Sequence, residues 1–332
     1  MLHEVLDRAS AAHRGATALV YGAETRTFEE LARRVRSLAT GLERLIGPGD
    51  RIAILAENCP AYVECLYGAP AAGALLVLLN HRLHPDEWEA QLRATEASVL
   101  VGERSLLEQF GDRRARLDSL RRVVAIDDPG RDELGYEDIL AEPAAHSSLR
   151  FENDPAWLIF TSGTTGTPKG AVLTHASLSA ALDVTQQCRP VRNDDVYLFP
   201  FPLCHVSAYN VMLFHREARP IVLARRFTTT DVAELVQRHS VTTVSLAPTM
   251  LAMLLEDPSI DDYDLSSLRT IGYGASAIPE SVLRAAAARF GCEFSQGYGM
   301  TELSGNAVFL DADSHRRALA GDDALLRAAG RP

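Results

Sequence analysis

The chain has no excess of positive charge: of its 332 residues, 33 are Lys or Arg and 44 are Asp or Glu, a formal net charge of −11. It therefore lacks the basic field that would draw in a nucleic-acid backbone, and any anion it binds must be held by local groups. Cysteine is scarce. Cys59, Cys65, Cys188, Cys204 and Cys292 are odd in number and form no C-x-x-C spacing, which argues against a disulfide framework and against a zinc knuckle. A reducing cytoplasm is the expected location. Long apolar runs are missing as well. The most apolar stretch, Ala69 to Leu79, is shorter than the ~20 residues that span a bilayer, so no transmembrane segment is expected and it reads as a core helix running into a buried strand. The first residues, MLHEVLDRASAAHRG, lack the basic start, apolar middle and small-residue cleavage site of a signal peptide. There is no fixed-period repeat and no low-complexity tract.

What is present points to an α/β protein. Apolar residues make up 47% of the chain, enough for a substantial core without covalent staples. Strand-length apolar runs alternate with helical patterns, the order expected of layered, mainly parallel sheets with flanking helices. Arg51 to Leu55 reads as a strand and Asn58 to Gly73 as a helix with Pro60 in its first turn. Another strand is expected to end at Asn80, then a helix over Asp86 to Ala97 and a strand over Ser98 to Gly102. The acidic, turn-rich stretch from Asp127 to Asp154 is the expected subdomain seam.

The stretch W-L-I-F-T-S-G-T-T-G-T-P-K-G-A, residues 157 to 171, breaks from an apolar run into hydroxyls and glycines. Gly163, Gly166 and Gly170 permit positive φ and close backbone approach, Thr161, Ser162, Thr164, Thr165 and Thr167 supply donors, and Lys169 adds a compact cation. This chemistry suits phosphate oxygens. It is not a Walker A loop, because Pro168 stands before the lysine and Gly170 follows it. Ala171 to His175 reads as a strand, so the loop is expected to join two strands instead of opening a helix. The competing reading is a surface hairpin turn, which needs fewer hydroxyls and glycines than this loop contains.

Two further loops share that chemistry. Leu268 to Tyr273, the helix after Pro279, and Glu293 to Ser295 read as a βαβ unit. The loops Gly274 to Ile278 and Gln296 to Glu302 are then expected at the carboxyl ends of parallel strands, where such sheets bind ligands. Tyr298 between Gly297 and Gly299 offers a ring to a planar base, and Glu302 beside Thr301 suggests a divalent cation among phosphates. Taken singly, Tyr298 reads equally well as core, Glu302 as a solvated charge, and His205 as a structural histidine.

Thr161-SGTTGTPKG-Gly170, Pro202-LCHV-Val206, Gly274-AS-Ser276 and Gln296-GYGMTE-Glu302 together resemble the motifs of the adenylate-forming superfamily of acyl-CoA synthetases, luciferases and adenylation domains. The stretch GDRIAILAENCPAYVECLYGAPAAGALLVLLNHRL is similar to that family's N-terminal region, so the resemblance spans nearly the whole chain. It implies a carboxylic acid attacking the α-phosphorus of ATP with Mg2+, then thioester formation with coenzyme A. By the same resemblance, Thr161, Ser162, Gly163, Thr164, Thr165, Gly166, Thr167 and Lys169 embrace the β- and γ-phosphates. Gly274, Ala275 and Ser276 with Gly297, Tyr298, Gly299 and Met300 frame the adenine end, and Thr301 meets the α-phosphate. Glu302 holds the metal with help from Thr161. His205 lies beside the acyl carboxylate, with Val206, Tyr209, Asn210, Tyr273 and Gly297 lining the acyl pocket; His205, Lys169, Thr301 and Glu302 are the residues expected to carry catalysis.

Cys204 and Tyr273 depart from the family's frequent Phe and Gly, which bears on substrate choice. Family members continue past Gly330-Arg-Pro into a ribose-binding Asp motif, a hinge and a small domain with a catalytic lysine. The chain is therefore expected to be the larger N-terminal core, residues 1–332, without the small C-terminal domain and with weak or no catalysis of its own. No acidic residue accompanies CHVSAYN, which disfavours amino-acid substrates. Apolar SAYNVMLFH and SLAPTMLAMLL suit aliphatic, aryl or polycyclic acids, although core packing accounts for Met250 and Met253 equally well. Two alternatives stay open: transfer of the acyl group to a carrier protein, and a nucleotide-binding module without turnover. The reading leaves room for a homo-oligomer and for a C-terminal domain on a separate chain.

Overall fold

The apolar runs form two sheets, which fall in two compact units except that the edge strand Glu24–Thr27 straddles their division. The computed structural model describes residues 1–47, 49–140, 151–161 and 168–332. Met1–Gly15, Arg26–Ser179 and Pro202–Ala208 make the first unit, and Ala16–Thr25, Ala180–Phe201 and Tyr209–Pro332 the second. The division does not fall in the stretch 127–154. Its described residues lie within the first unit, where Leu134–Gly135 pairs in parallel with Arg122–Ala125. No helix among the described residues is long and apolar enough to cross a membrane.

The first unit's seven-stranded sheet runs in the order Leu134–Gly135, Arg122–Ala125, Val99–Gly102, Arg51–Leu55, Leu75–Leu78, Pro155–Thr161, Lys169–Thr174. All neighbours are parallel except the last pair. The inner strands are continuous apolar runs because they are covered on both faces. Helix Pro60–Ala71 is buried along its whole length, and its Pro60 occupies the first turn, where no N–H is needed. This helix places Glu64 in the interior, where Arg26, Arg34 and the Tyr136 hydroxyl bond its carboxylate, the last at 2.7 Å. Helix Phe28–Glu43 begins at a reciprocal cap: Thr27 Oγ1 accepts from Glu30 N at 3.2 Å while Thr27 N donates to the Glu30 carboxylate at 2.8 Å.

The second unit's eight-stranded sheet has the order Gly305–Leu310, Glu293–Met300, Thr270–Gly274, Thr243–Leu246, Tyr197–Phe199, Ile221–Leu223, Thr17–Tyr21, Glu24–Thr27. From Glu293–Met300 through Thr17–Tyr21 the pairings are parallel, and Gly305–Leu310 adds an antiparallel edge. Successive side chains in these strands face opposite sides. Val244, Leu246, Ile271, Tyr273 and Phe294 join a core cluster with Val232 and Val236 of helix Thr229–His239, Leu251 of Pro248–Glu256 and Leu283 of Glu280–Phe290. Thr243, Ser245, Gly272 and Ser295 take the other face.

Candidate active site

In the first unit the strands on either side of the hydroxyl-rich loop, Pro155–Thr161 and Lys169–Thr174, pair with each other, so the loop joins two strands as expected. Thr161 pairs with Lys169 across the antiparallel ladder, and Thr161 Oγ1 donates to the Lys169 carbonyl at 3.4 Å. Ser162, Gly163, Thr164, Thr165, Gly166 and Thr167 lie outside the described residues. Lys169 is exposed at the loop's return. The loop leads into strand Lys169–Thr174, so it does not open a helix whose N-terminus could meet an anion.

Parallel pairing brings other groups to the same edge of this sheet. Leu78 is level with Ile159, so the turn after Leu78 ends beside Thr161. Trp88 Nε1 fixes that turn by donating to the Asn80 carbonyl at 2.9 Å, and His81 and Arg82 follow. Beyond the neighbouring strand Arg51–Leu55, buried Asn58 accepts from Leu203 N at 2.8 Å, which pins the Pro202–Ala208 segment. Cys204 points inward, and burial pushes its thiol up to about 12. His205 keeps an accessible edge but is crowded by protein. That loss of solvent, then the electrostatic effects of Arg82 and His81, lowers its pKa from the ordinary 6.5 and favours the neutral ring. Val206 opens a short 3-10 turn, Val206–Ala208. Arg82 belongs to no motif; its charge acts on His205 only once the chain has folded.

In the second unit the βαβ reading holds, with one correction. Gly274 is level with Gly297 in parallel register, and helix Glu280–Phe290 connects their strands. Gln296 to Met300, expected as a loop, is instead strand, because it leaves its parallel neighbour and continues in antiparallel pairing with Gly305–Leu310. Its glycines serve that crowding. A Cβ on Gly274 would lie 2.4 Å from the Gly297 carbonyl oxygen, and one on Gly299 would lie 2.0 Å from that of Gly305. A register shift at Tyr298/Gly299 turns the strand, leaving Tyr298 55% exposed. Ala275 has φ 70, a left-handed conformation that costs a residue with a Cβ about 1–2 kcal/mol. Ser276 and Met300 are exposed, Thr301 is half-buried, and Glu302 is exposed in the 3-10 turn Thr301–Leu303.

The expected acyl-pocket residues of this unit lie on both faces of its sheet. Tyr209 is buried, its hydroxyl accepting from Asn306 Nδ2 at 3.0 Å and from Thr185 Oγ1 at 3.2 Å. A Cβ on Gly297 would strike the same Asn306, and Asn210 follows Tyr209 on helix Tyr209–Arg216, so these three share one side. Tyr273 is on the other side. It is buried in the core cluster, with its hydroxyl 2.8 Å from His315 Nε2 and 3.2 Å from Gln296 Oε1. His315 Nδ1 is 2.7 Å from the Asp311 carbonyl, so Tyr273 is tied to helix Ala312–Leu319.

The sequence pattern of the AMP-binding enzyme family matches residues 6–332. The chain belongs to this family. Feruloyl-CoA synthase of an Amycolatopsis species is 33% identical over 306 residues, 89% of this chain and 58% of that protein. The chain thus spans a little over half of that curated relative's length. The N-terminal domain of FACL13 from Mycobacterium tuberculosis superposes with a TM-score of 0.87 at 25% identity, covering 95% of this chain and 80% of that one. O-succinylbenzoate coenzyme A synthetase from Bacillus subtilis, solved in complex with ATP and magnesium ion, gives a TM-score of 0.81 at 26% identity over 99% of this chain and 64% of that one.

For an AMP-binding chain, the test for a metal lies in its donor set. Among the described residues no group of three or more His, Cys, Asp or Glu is placed to enclose a metal ion. A single exposed carboxylate at Glu302 fits magnesium, which takes one or two carboxylates and fills its octahedron with water and phosphate oxygens. It does not fit a structural zinc.

Proposed function

We propose that this chain binds MgATP and a carboxylic acid without an α-amine and activates the acid as an acyl-adenylate. In the complete protein the acyl group then passes to coenzyme A. The observation that carries this reading is the family match over residues 6–332, alongside a relative named for a feruloyl thioester. The likeness to an N-terminal domain supports assigning residues 1–332 to the ATP- and acid-binding core of a longer architecture. Residues of the remaining architecture would complete the thioester step. The cysteine pattern supports a cytoplasmic location.

In the reaction a carboxylate oxygen of the acid forms a bond to the α-phosphorus while the bond to the bridging β-phosphate oxygen breaks, releasing pyrophosphate. Thr161, the loop through 167 and Lys169 offset charge on the phosphate oxygens. Neutral His205 donates a hydrogen bond to the acid without adding a charge that would stabilise its ground state. Tyr298 offers a ring to adenine beside the Gly274–Ser276 turn, and Thr301 offers a hydroxyl to the α-phosphate. Glu302 would hold magnesium, which when bound would offset charge on the departing pyrophosphate; that a Bacillus relative was solved with ATP and magnesium ion supports the choice of metal. Val206, Tyr209, Asn210 and Gly297 remain as acyl-pocket residues, while Tyr273 is reassigned to supporting the Gly274 turn from behind.

The test is mass-spectrometric search for acyl-adenylate after mixing the chain with ATP, magnesium and pooled aryl, fatty and polycyclic acids. An adenylate that needs both acid and magnesium is expected. ATP hydrolysis indifferent to acid would overturn the reading in favour of an ATPase, and MgATP binding without adenylate, in the complete protein as well, would leave a nucleotide-binding module.

A further inference from the structure

Within the second unit, one arginine stands apart from the rest of the charge pattern. Arg189 follows helix His175–Cys188 and lays its guanidinium on the sheet face opposite the apolar cluster. Nη2 donates to Asn210 Oδ1 at 2.6 Å and Nη1 to Ser245 Oγ at 3.2 Å. A Cβ on Gly272 would fall 2.6 Å from Nη1, so the cation rests on bare backbone where any side chain would displace it. Ser245, Gly272 and Ser295 are level with one another across three strands, which makes this part of the face a row of small residues. The buried Tyr197 hydroxyl also approaches Arg189 and Ser245 without making a well-formed hydrogen bond.

No carboxylate bonds Arg189 among the described residues, although acids are plentiful nearby in sequence. Arg192 takes Glu293, and Arg269 takes Asp194 and Asp195. Arginine has five N–H donors in a planar fork suited to a carboxylate, and only two are used here, both by neutral acceptors. A half-buried cation without a counter-ion is unfavourable unless an anion completes it. Surface exposure does not account for the arrangement, since the guanidinium is drawn inward onto Gly272 and Ser245.

We propose that Arg189 receives a second carboxylate at the far end of the acid substrate, making this chain selective for dicarboxylic acids. The inference rests on the acyl-pocket reading of Tyr209, Asn210 and Gly297. Gly272 lies two residues before Gly274, which is level with Gly297, so the two ends of such an acid would be separated by roughly 7 Å of strand. Arg189 donates its unused N–H groups to the distal carboxylate, with the Tyr197 hydroxyl as a further donor. Asn210 and Ser245 hold the fork in place.

The test is calorimetric binding of matched acids to the whole chain: 4-methylbenzoate against benzene-1,4-dicarboxylate, and octanoate against octanedioate. The wild type is expected to bind the better dicarboxylate at least about tenfold more tightly than its methyl-ended partner, as a charge-assisted bidentate contact requires. Arg189→Met should erase that preference and leave the methyl-ended acid within about twofold of its original affinity. Arg189→Gln, which keeps polar contacts but not the charge, should behave likewise and serves if the Met variant does not fold. Absence of the preference in the wild type, or its survival in either folded variant, overturns the proposal. The dependence on the functional reading is separable. Dicarboxylate selectivity with no adenylate from any acid would sink acid activation and leave the anion site, whereas adenylate formation without the selectivity would sink the anion site alone.

Discussion

Two histidines show how surroundings set protonation at the scale of single residues. His215 is fully buried, with Nε2 3.0 Å from the Ala18 carbonyl, and burial lowers its pKa to about 4. Between the unfolded value near 6.5 and about 4, the unfolded chain binds a proton that the folded chain refuses, so stability is complete above that window and falls as pH drops through it. The loss attributable to His215 is about 3 kcal/mol. Denaturant titrations at pH 7.5 and 4.5 should therefore show a smaller acid loss for His215→Gln than for the wild type; equal losses would remove His215 from the account. For His205, an NMR titration should give a pKa below 6.5 that rises in Arg82→Ala, since a positive neighbour has been removed. No movement would mean that desolvation alone sets it. Lys169, Thr161 and Glu302 were proposed from residue type and order, whereas Arg82 was not, because its charge reaches His205 only in the folded chain.

Elements were legible wherever one local rule decided them. Arg51–Leu55 is apolar along its length because it is central in a parallel sheet, and Pro60 marks the first turn of the next helix. The segment Gln296 to Met300 misled for a physical reason. Its glycines resemble a ligand loop, yet they allow a strand to squeeze against Gly305 and Asn306. Gly299→Ala should thus lower stability by about 1–3 kcal/mol through overpacking against backbone that cannot yield. A midpoint of thermal unfolding equal to the wild type would contradict the crowding. Helix Pro60–Ala71 makes a second prediction. Glu64→Ala leaves Arg26 and Arg34 without their buried carboxylate and should cost about 3–5 kcal/mol in denaturant unfolding. A cost below about 1 kcal/mol, the range of exposed pairs, would mean the cluster is solvated.

At the scale of the molecule, the fold class followed from the alternation of runs, but the division of the chain did not. The acidic stretch 127–154 looked like a seam because of its composition; the chain divides at 15/16, 25/26, 179/180, 201/202 and 208/209 instead. Strand order decides this. Thr17–Tyr21 pairs with Ile221–Leu223, a partner two hundred residues away that no local pattern announces. Family membership was legible because its motifs are short, ordered and rich in residues with few other uses. The claim on which the account depends is that these 332 residues hold MgATP through the segment Thr161 to Lys169. Calorimetric titration of MgATP into the wild-type chain and into Lys169→Ala tests it most directly. The account predicts binding that the substitution weakens about tenfold, as loss of a charge-assisted phosphate contact should; no binding by the wild type, or equal affinity in both, would contradict it.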